Sequence, residues 1–288
     1  MIKDTKIITD FANDIRCDAL ALLYHAGSGH PGGTLSCSDI VAYLWKEELT
    51  YHCGNWQRKD RNRLVLSKGH SVATIYAAAG RSGLIEPDQA TSLRKINSVL
   101  QGHPHVKDTP WVETSTGSLG QGFSSAIGMA IGLRHQHIDS RVYAILGDGE
   151  LQEGQVWEGV MSAAHFKLDN LCAIVDYNKM QSDDTNENIM GLEPLADKWR
   201  SFNWDVQEID GHDILAIDKA ITKSKEMTGK PSMILAHTIK GKGVSFMENV
   251  PTWHGSVAIT TEQLTQSLQN LGAEPKQIEG YINGNFWN

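Results

Sequence analysis

The chain has 288 residues, 40% of them hydrophobic, and a formal net charge of -8. That is enough apolar mass for one large α/β domain or two small ones. The acidic balance and the lack of any basic run argue against a nucleic-acid partner, and no apolar stretch approaches the roughly 18 residues of a membrane span.

The opening residues MIKDTKIITDFANDIR carry acids where a signal peptide would be apolar, which points to a cytoplasmic protein. Cys17, Cys37, Cys53 and Cys172 have neither CxxC spacing nor a framework pattern and read as reduced thiols. Ile7, Ile8, Phe11, Ile15, Ala19, Leu22 and Leu23 recur at three- and four-residue steps, predicting an amphipathic helix over 4–24. A glycine-rich turn from His25 to Gly33 ends it, with Gly27 suited to the left-handed closing position. Ser36, Ser38 and Asp39 then read as N-terminal caps of a helix running towards Glu48, which leaves His30 in a loop between two helices.

Residues 63–66 predict a short strand, stopped by Ser67-Lys68-Gly69-His70 ahead of an alanine-rich helix over 71–79. Pro87 opens a further helix, and Gly102-His103-Pro104 makes a rigid turn. Taken alone, His103 and His105 also fit an HxH metal pair on a strand. Thr114 to Gly122 leads into a helix studded with Ser124, Ser125, Ala126, Gly128, Ala130 and Gly132. Each glycine inside a helix costs ~1 kcal/mol against alanine, so this helix should pack closely on another helix or on a partner chain.

Residues 142–146 predict a buried parallel strand that stops at Gly147-Asp148-Gly149. A helix follows from about Glu153, then a second apolar run over 171–175 ends at Asp176-Tyr177-Asn178, completing a strand, crossover, strand unit. Strands over 204–209 and 232–238 flank a helix over 214–227. The alternation predicts an α/β fold, a parallel sheet with helices on both faces. Such sheets bind ligands at the carboxyl ends of their strands, so Asp148 and Asn178 should emerge side by side. A carboxylate and an amide oxygen are too few for a protein cage but suit a Mg²⁺ ion completed by water and phosphate oxygens. Gly147 and Gly149 would let the backbone come close to such a diphosphate.

GDG followed, after 28 residues, by Asn178 resembles the metal motif of the thiamine diphosphate enzymes. SGHPGG at His30, SKGH at His70, GHP at His103, TGSLGQG at Gly117, IKGKG at Lys240 and HG at His254 resemble, as a set and in order, the transketolases. The resemblance implies Mg²⁺ held by Asp148, Asn178 and the Met180 carbonyl. It implies thiamine diphosphate held by His70, Gly117, Leu119, Gly147, Asp148, Gly149, Asn178 and His254. It puts His30 and His103 at the substrate, and Glu153 and Glu158 among the glutamates that link paired active sites. Tyr177 stands where the family usually has Asn or Asp, and Ser118 where it commonly has Pro.

Transketolases have three domains, and every motif found here belongs to the first; the glutamate that activates the pyrimidine ring belongs to the second. The resemblance therefore implies that residues 1–288 form a single thiamine diphosphate-binding domain with a short C-terminal extension, the N-terminal subunit of a split transketolase. Its reaction would move a two-carbon ketol unit from a ketose to an aldose, with a C-terminal transketolase subunit for a partner and a heterotetramer for the assembly. The diphosphate-binding subunit of another thiamine enzyme, such as a 2-oxo acid dehydrogenase, shares the metal motif but is not expected to carry SGHPGG, GHP and KGKG together. A non-catalytic scaffold of the same fold is the other alternative.

Overall fold

Helix α1 (Thr5–Ala26) begins where Asp4 accepts the Lys6 N–H at 2.9 Å and ends at Ala26, two residues beyond the periodic stretch, with Gly27 closing it at φ 68°. The structure is a computed structural model and describes residues 4–49, 51 and 55–287; Cys53 lies outside them. The next stretch departs from the sequence reading. α2 (Pro31–Ser36) starts directly after His30, and α3 (Ser38–Tyr43) follows across Cys37 and passes into one π-helical turn, Leu44–Glu48. Ser36, Ser38 and Asp39 do not cap these helices. All three are buried and find other partners: Ser36 donates to the Asp176 carboxylate at 2.6 Å, Ser38 to the Thr34 carbonyl at 3.0 Å, and Asp39 pairs with Arg16. Ser36 also reaches the Gly33 carbonyl of its own helix at 3.1 Å, so a buried polar group takes whichever partners its surroundings offer, and none of these is the N–H of a helix that it would cap.

The chain continues through β1 (Arg63–Leu66), α4 (Val72–Gly80), α5 (Gln121–His135), β2 (Val142–Gly147), α6 (Gly154–His165) and β3 (Leu171–Tyr177). A small antiparallel hairpin, β4 (Met180–Gln181) with β5 (Asp184–Thr185), precedes α7 (Asn186–Met190) and α8 (Leu195–Ser201). Then come β6 (Asp205–Asp210), α9 (Ile214–Glu226), β7 (Ser232–His237), α10 (Thr261–Asn270) and α11 (Pro275–Ile282). Pro87–Ser92 is a short 3-10 helix, and residues 103–105 are not a strand. The strand on which an HxH pair would sit is thus absent, and among the described residues no cluster of three His, Cys, Asp or Glu gathers there; His105 bonds Asp108 at 2.7 Å.

The five long strands form one parallel sheet in the order β1-β2-β3-β7-β6. Alternate residues divide between its faces as a pleated strand requires. Tyr143, Ile145, Cys172, Ile174 and Ile234 join the core formed with α1, α3, α4 and α9, whereas Val142, Ala144, Leu146, Ala173 and Val175 join the core with α5, α6 and α8. Within the chain α5 packs through Phe123, Ala126, Ile127 and Ala130, while Gly128 and Gly132 face open space. Among the described residues, nothing packs against them closely enough to require their small size. Cys17, Cys37 and Cys172 are buried free thiols. Among the described residues, no helix is long and apolar enough to cross a membrane.

Candidate active site

The register of β2 on β3 pairs Leu146 with Val175 and Gly147 with Asp176, so both strands stop at one level. Asp148 and Asn178 emerge there, on the wall of a cavity of about 460 Å³ at the carboxyl edge of the sheet. This is where an open α/β sheet offers backbone groups and loop side chains to a ligand. Asp148 is buried; its Oδ1 accepts the Gly149 N–H at 2.8 Å and its Oδ2 the Lys179 N–H at 2.5 Å. Burial, and then repulsion from Asp176, raises its pKa above the usual carboxylate value. The Asn178 Oδ1 accepts the Met180 N–H at 3.1 Å while its amide nitrogen turns to Asp176 at 3.4 Å.

Asp176 is the anchor beneath this group. Fully buried, it takes the Lys68 ammonium, the Ser36 and Thr238 hydroxyls and the Asn178 amide. Burial alone would raise its pKa, but Lys68 and the hydroxyl donors more than reverse this and hold the carboxyl below its ordinary value. Lys68 also donates to the Gly33 carbonyl at 2.7 Å. A second buried lysine, Lys240, bonds the His254 Nδ1 at 2.7 Å and the Met180 carbonyl at 3.3 Å. Burial lowers its pKa to about 8. The floor thus combines acidic oxygen donors with two cations.

Above it four half-buried histidines converge. The His30 ring centroid lies 5.1 Å from that of His70, 6.3 Å from His103 and 5.9 Å from His254, and His70 is 5.5 Å from His254. Burial, reinforced by Arg94 and neighbouring rings, lowers the pKa of His30 to about 4; burial and Lys240 lower that of His254 to about 3. His70 is pushed well below its usual value by burial and Lys68, and His103 is lowered by burial and Arg94. Each ring is therefore neutral at neutral pH, with one N–H donor and one bare nitrogen. Two rings rest on glycines. A Cβ at Gly117, whose φ is 144°, would sit 2.9 Å from His103, and one at Gly255 would sit 2.5 Å from His30. Gly255→Ala should displace the His30 ring and lower turnover by up to about a hundredfold at little cost in folding. Turnover and melting temperature of the variant complex check this; full activity would mean that the position of His30 does not matter.

The cavity gathers His30, His70, His103, Gly117, Leu119, Gly147, Asp148, Gly149, Glu153, Asn178, Met180 and His254. It does not include Glu158, which is exposed on the outer side of α6; Glu153 is also exposed but stands at the cavity's rim, immediately before that helix. Tyr177 turns away, bonding the Glu193 carboxylate. Ser118 is exposed in its loop. Sequence reasoning missed Lys68, Asp176 and Lys240, and also Glu150, a buried carboxylate that accepts the Gly120 N–H at 2.8 Å, the Gly147 N–H at 3.1 Å and the Ser67 hydroxyl. Glu150 ties together three loops of the cavity. Its one sequence signal was its place next to Gly149.

A parallel α/β domain whose strand ends present a carboxylate, an amide and buried lysines to one polar cavity defines a ligand-binding domain of the doubly covered α/β class. The family model described as the thiamine diphosphate binding domain of transketolase matches residues 7–281, and the chain belongs to that family. It is 42% identical to the 6-deoxy-6-sulfo-D-fructose transketolase subunit SqwG of Clostridium sp. (strain MSTE9), over 93% of this chain and 96% of that protein. It is 35% identical to an apulose-4-phosphate transketolase subunit of Phocaeicola vulgatus, over 91% of this chain and 93% of that one. The transketolase from Leishmania mexicana superposes with a TM-score of 0.89 at 30% identity, covering 96% of this chain but 44% of its own. The chain thus matches two proteins named as subunits over nearly their whole length, and less than half of the Leishmania mexicana transketolase chain.

Proposed function

We propose that this chain is the thiamine diphosphate- and Mg²⁺-binding subunit of a split transketolase, moving a two-carbon ketol unit between anionic sugars together with a partner subunit. The observation that carries the reading is the meeting of Asp148, Asn178 and the Met180 carbonyl with Lys68 and Lys240 in one cavity at the ends of adjacent strands. The residues fit the cofactor's diphosphate. A Cβ at Gly33 would lie 3.0 Å from Ser71 Oγ, 3.5 Å from Lys68 Nζ and 3.6 Å from His70 Nε2, so donors converge on space that only glycine leaves open. Among the described residues, Ser71 Oγ and His30 Nδ1 are also buried without a partner, which suits groups that await a ligand.

In this reading Asp148, Asn178 and the Met180 carbonyl would hold the ion, three oxygen donors of the hard kind that Mg²⁺ takes. The Lys68 and Lys240 ammoniums would balance the charge of the diphosphate, the neutral rings of His70 and His254 would orient it through their N–H groups, and the glycines at 147 and 149 would admit it to the backbone. Gly117 and Leu119 flank the thiamine. Thiamine diphosphate, when bound, supplies a carbon nucleophile able to cleave the bond beside a ketose carbonyl. His30 and His103, neutral and facing one another, take and return protons of the sugar hydroxyls through their bare ring nitrogens. Arg94, whose guanidinium lies against Gly102 beside His103, brings positive charge towards the anionic end of the sugar.

The partner would carry the pyrimidine and C-terminal domains, and two such pairs would form a heterotetramer. Support comes from the two relatives named as subunits and from the outward-facing Gly128 and Gly132 of α5, beside the exposed Ile131. Glu158 and Glu153, exposed on and before α6, would meet the partner there and couple the paired sites. The purified chain should show no ketol transfer by itself and acquire it, with Mg²⁺ and thiamine diphosphate, when the partner is added. Efficient turnover by the chain alone overturns the two-subunit reading, and a complex that binds no cofactor overturns the enzyme reading.

A further inference from the structure

Lys240 rides on a loop, 238–243, in which Gly241 and Gly243 both have positive φ, 78° and 90°. A segment so rich in glycine holds one shape only if outside bonds fix it. Bonds from several sides do so. Thr238 donates its N–H to the Tyr177 carbonyl at 3.1 Å and its hydroxyl to Asp176, Gly241 N–H reaches the Gly32 carbonyl at 3.0 Å, Gly243 N–H reaches Glu248 Oε1 at 2.9 Å, Asn249 N–H reaches the Lys240 carbonyl at 2.9 Å, and the Ile239 N–H reaches His212 Nε2 at 2.9 Å. The last comes from outside the cavity, since His212 lines the neighbouring cleft.

A backbone N–H can only donate, so the Nε2 of His212 is bare and the ring proton sits on Nδ1, where it donates to Asp39 Oδ2 at 2.7 Å. Asp39 is buried and pairs through both oxygens with Arg16 of α1, whose Nε also reaches the Leu35 carbonyl at 3.3 Å. Burial by itself would raise the pKa of Asp39, but Arg16 and His212 outweigh it and keep the carboxyl below its usual value. Asp39 is therefore an anion, which selects the His212 tautomer that can hold Ile239. A carboxylate fixing a histidine, which in turn fixes a functional loop, is the arrangement that orients many metal ligands.

We infer that His212, its tautomer set by Asp39 and Arg16, is a positioning residue that holds the loop 238–243 and so aims the Lys240 ammonium into the cavity. The functional half rests on the proposed role of Lys240 at the diphosphate; the structural half does not.

Hydrogen exchange on the full-length chain, followed by mass spectrometry, reads the loop directly. A glutamine at 212 can present its amide oxygen to Ile239, whereas an asparagine is too short to reach. His212→Asn should speed exchange in 238–243 about tenfold, with β7 unchanged, and His212→Gln should stay close to wild type. Asp39→Asn, which leaves the ring in place but frees its tautomer, should loosen the same loop. Wild-type exchange of the loop in both His212→Asn and Asp39→Asn overturns the inference.

Titration of Mg²⁺ and thiamine diphosphate into the assembled complex reads the consequence. His212→Asn should weaken binding about tenfold, and combining it with Lys240→Met should weaken it no further than Lys240→Met alone. Additive losses mean that His212 does not act through Lys240 and overturn the aiming role. Unchanged binding in Lys240→Met overturns the proposed diphosphate role of that lysine, while the exchange experiment still decides whether His212 holds the loop.

Discussion

Asp148→Asn is expected to weaken Mg²⁺-dependent binding of thiamine diphosphate by about 10²-fold or more while leaving the melting temperature of the complex close to wild type. Removing one charge from a desolvated charge pair costs roughly 2–5 kcal/mol of binding, and every 1.4 kcal/mol is tenfold. Stability should follow a different course. The carboxylate is buried, and both burial and the nearby Asp176 disfavour its ionised form. An amide of the same shape removes that repulsion and gives up one of the two backbone bonds, from Gly149 or Lys179. One neutral hydrogen bond is worth about 1 kcal/mol, so the two effects nearly offset. Calorimetric titration with cofactor at fixed Mg²⁺, beside a thermal melt, separates them. Unchanged affinity at ordinary Mg²⁺ concentrations refutes the metal assignment, and a complex that no longer folds assigns Asp148 to structure instead.

What the sequence made legible follows from how local each signal is. The strand stops at Gly147 and Asn178 could be read because an apolar run followed by glycine or an amide is a local pattern, and the parallel pairing then sets both residues on one edge. The four histidines stood in glycine- and proline-marked turns, and the fold brings the turns together. Lys68, Asp176 and Lys240 carry no such mark. A lysine after a strand normally reads as a solvated charge, and only the three-dimensional pairing of Lys68 with Asp176, 108 residues apart, shows that it is buried. Arg16, Asp39 and His212 were hidden for the same reason.

The helix predicted over 36–48 failed through a neighbouring mechanism. Ser36 and Ser38 have the chemistry of caps, but each lies within reach of an acceptor that the sequence window does not contain or does not favour: Asp176 for Ser36 and the Thr34 carbonyl for Ser38. The chain therefore starts its helix earlier, at Pro31, whose fixed φ suits a first turn. This places His30 immediately before α2, with its carbonyl accepting the Thr34 hydroxyl at 2.7 Å. The error in the helix boundary and the position of a candidate catalytic group thus have one cause.

The histidines give the last expected result and the finest distinction. His70 stands beside Lys68 and the open space over Gly33, and His254 shares a hydrogen bond with Lys240. Both are neutral rings that stand next to the lysines of the floor proposed for the diphosphate, where each can donate one N–H. His30 and His103 face one another above it, each held by a glycine, and His30 Nδ1 has no partner among the described residues. A hydrogen bond to a charged oxygen is worth roughly 1.5–3 kcal/mol, so His70→Ala or His254→Ala should weaken cofactor binding about ten- to a hundredfold. Mass action then restores most of their activity at saturating thiamine diphosphate. Loss of a positioned proton donor or acceptor instead lowers turnover by ~10²–10⁴-fold, and no concentration of cofactor replaces it, so His30→Ala and His103→Ala should remain impaired. Turnover against thiamine diphosphate concentration, for all four variants with the partner present, reads the division. Equal rescue in both pairs, or rescue of His30→Ala and His103→Ala alone, would show that the floor and the upper wall of this cavity do not divide the work in this way.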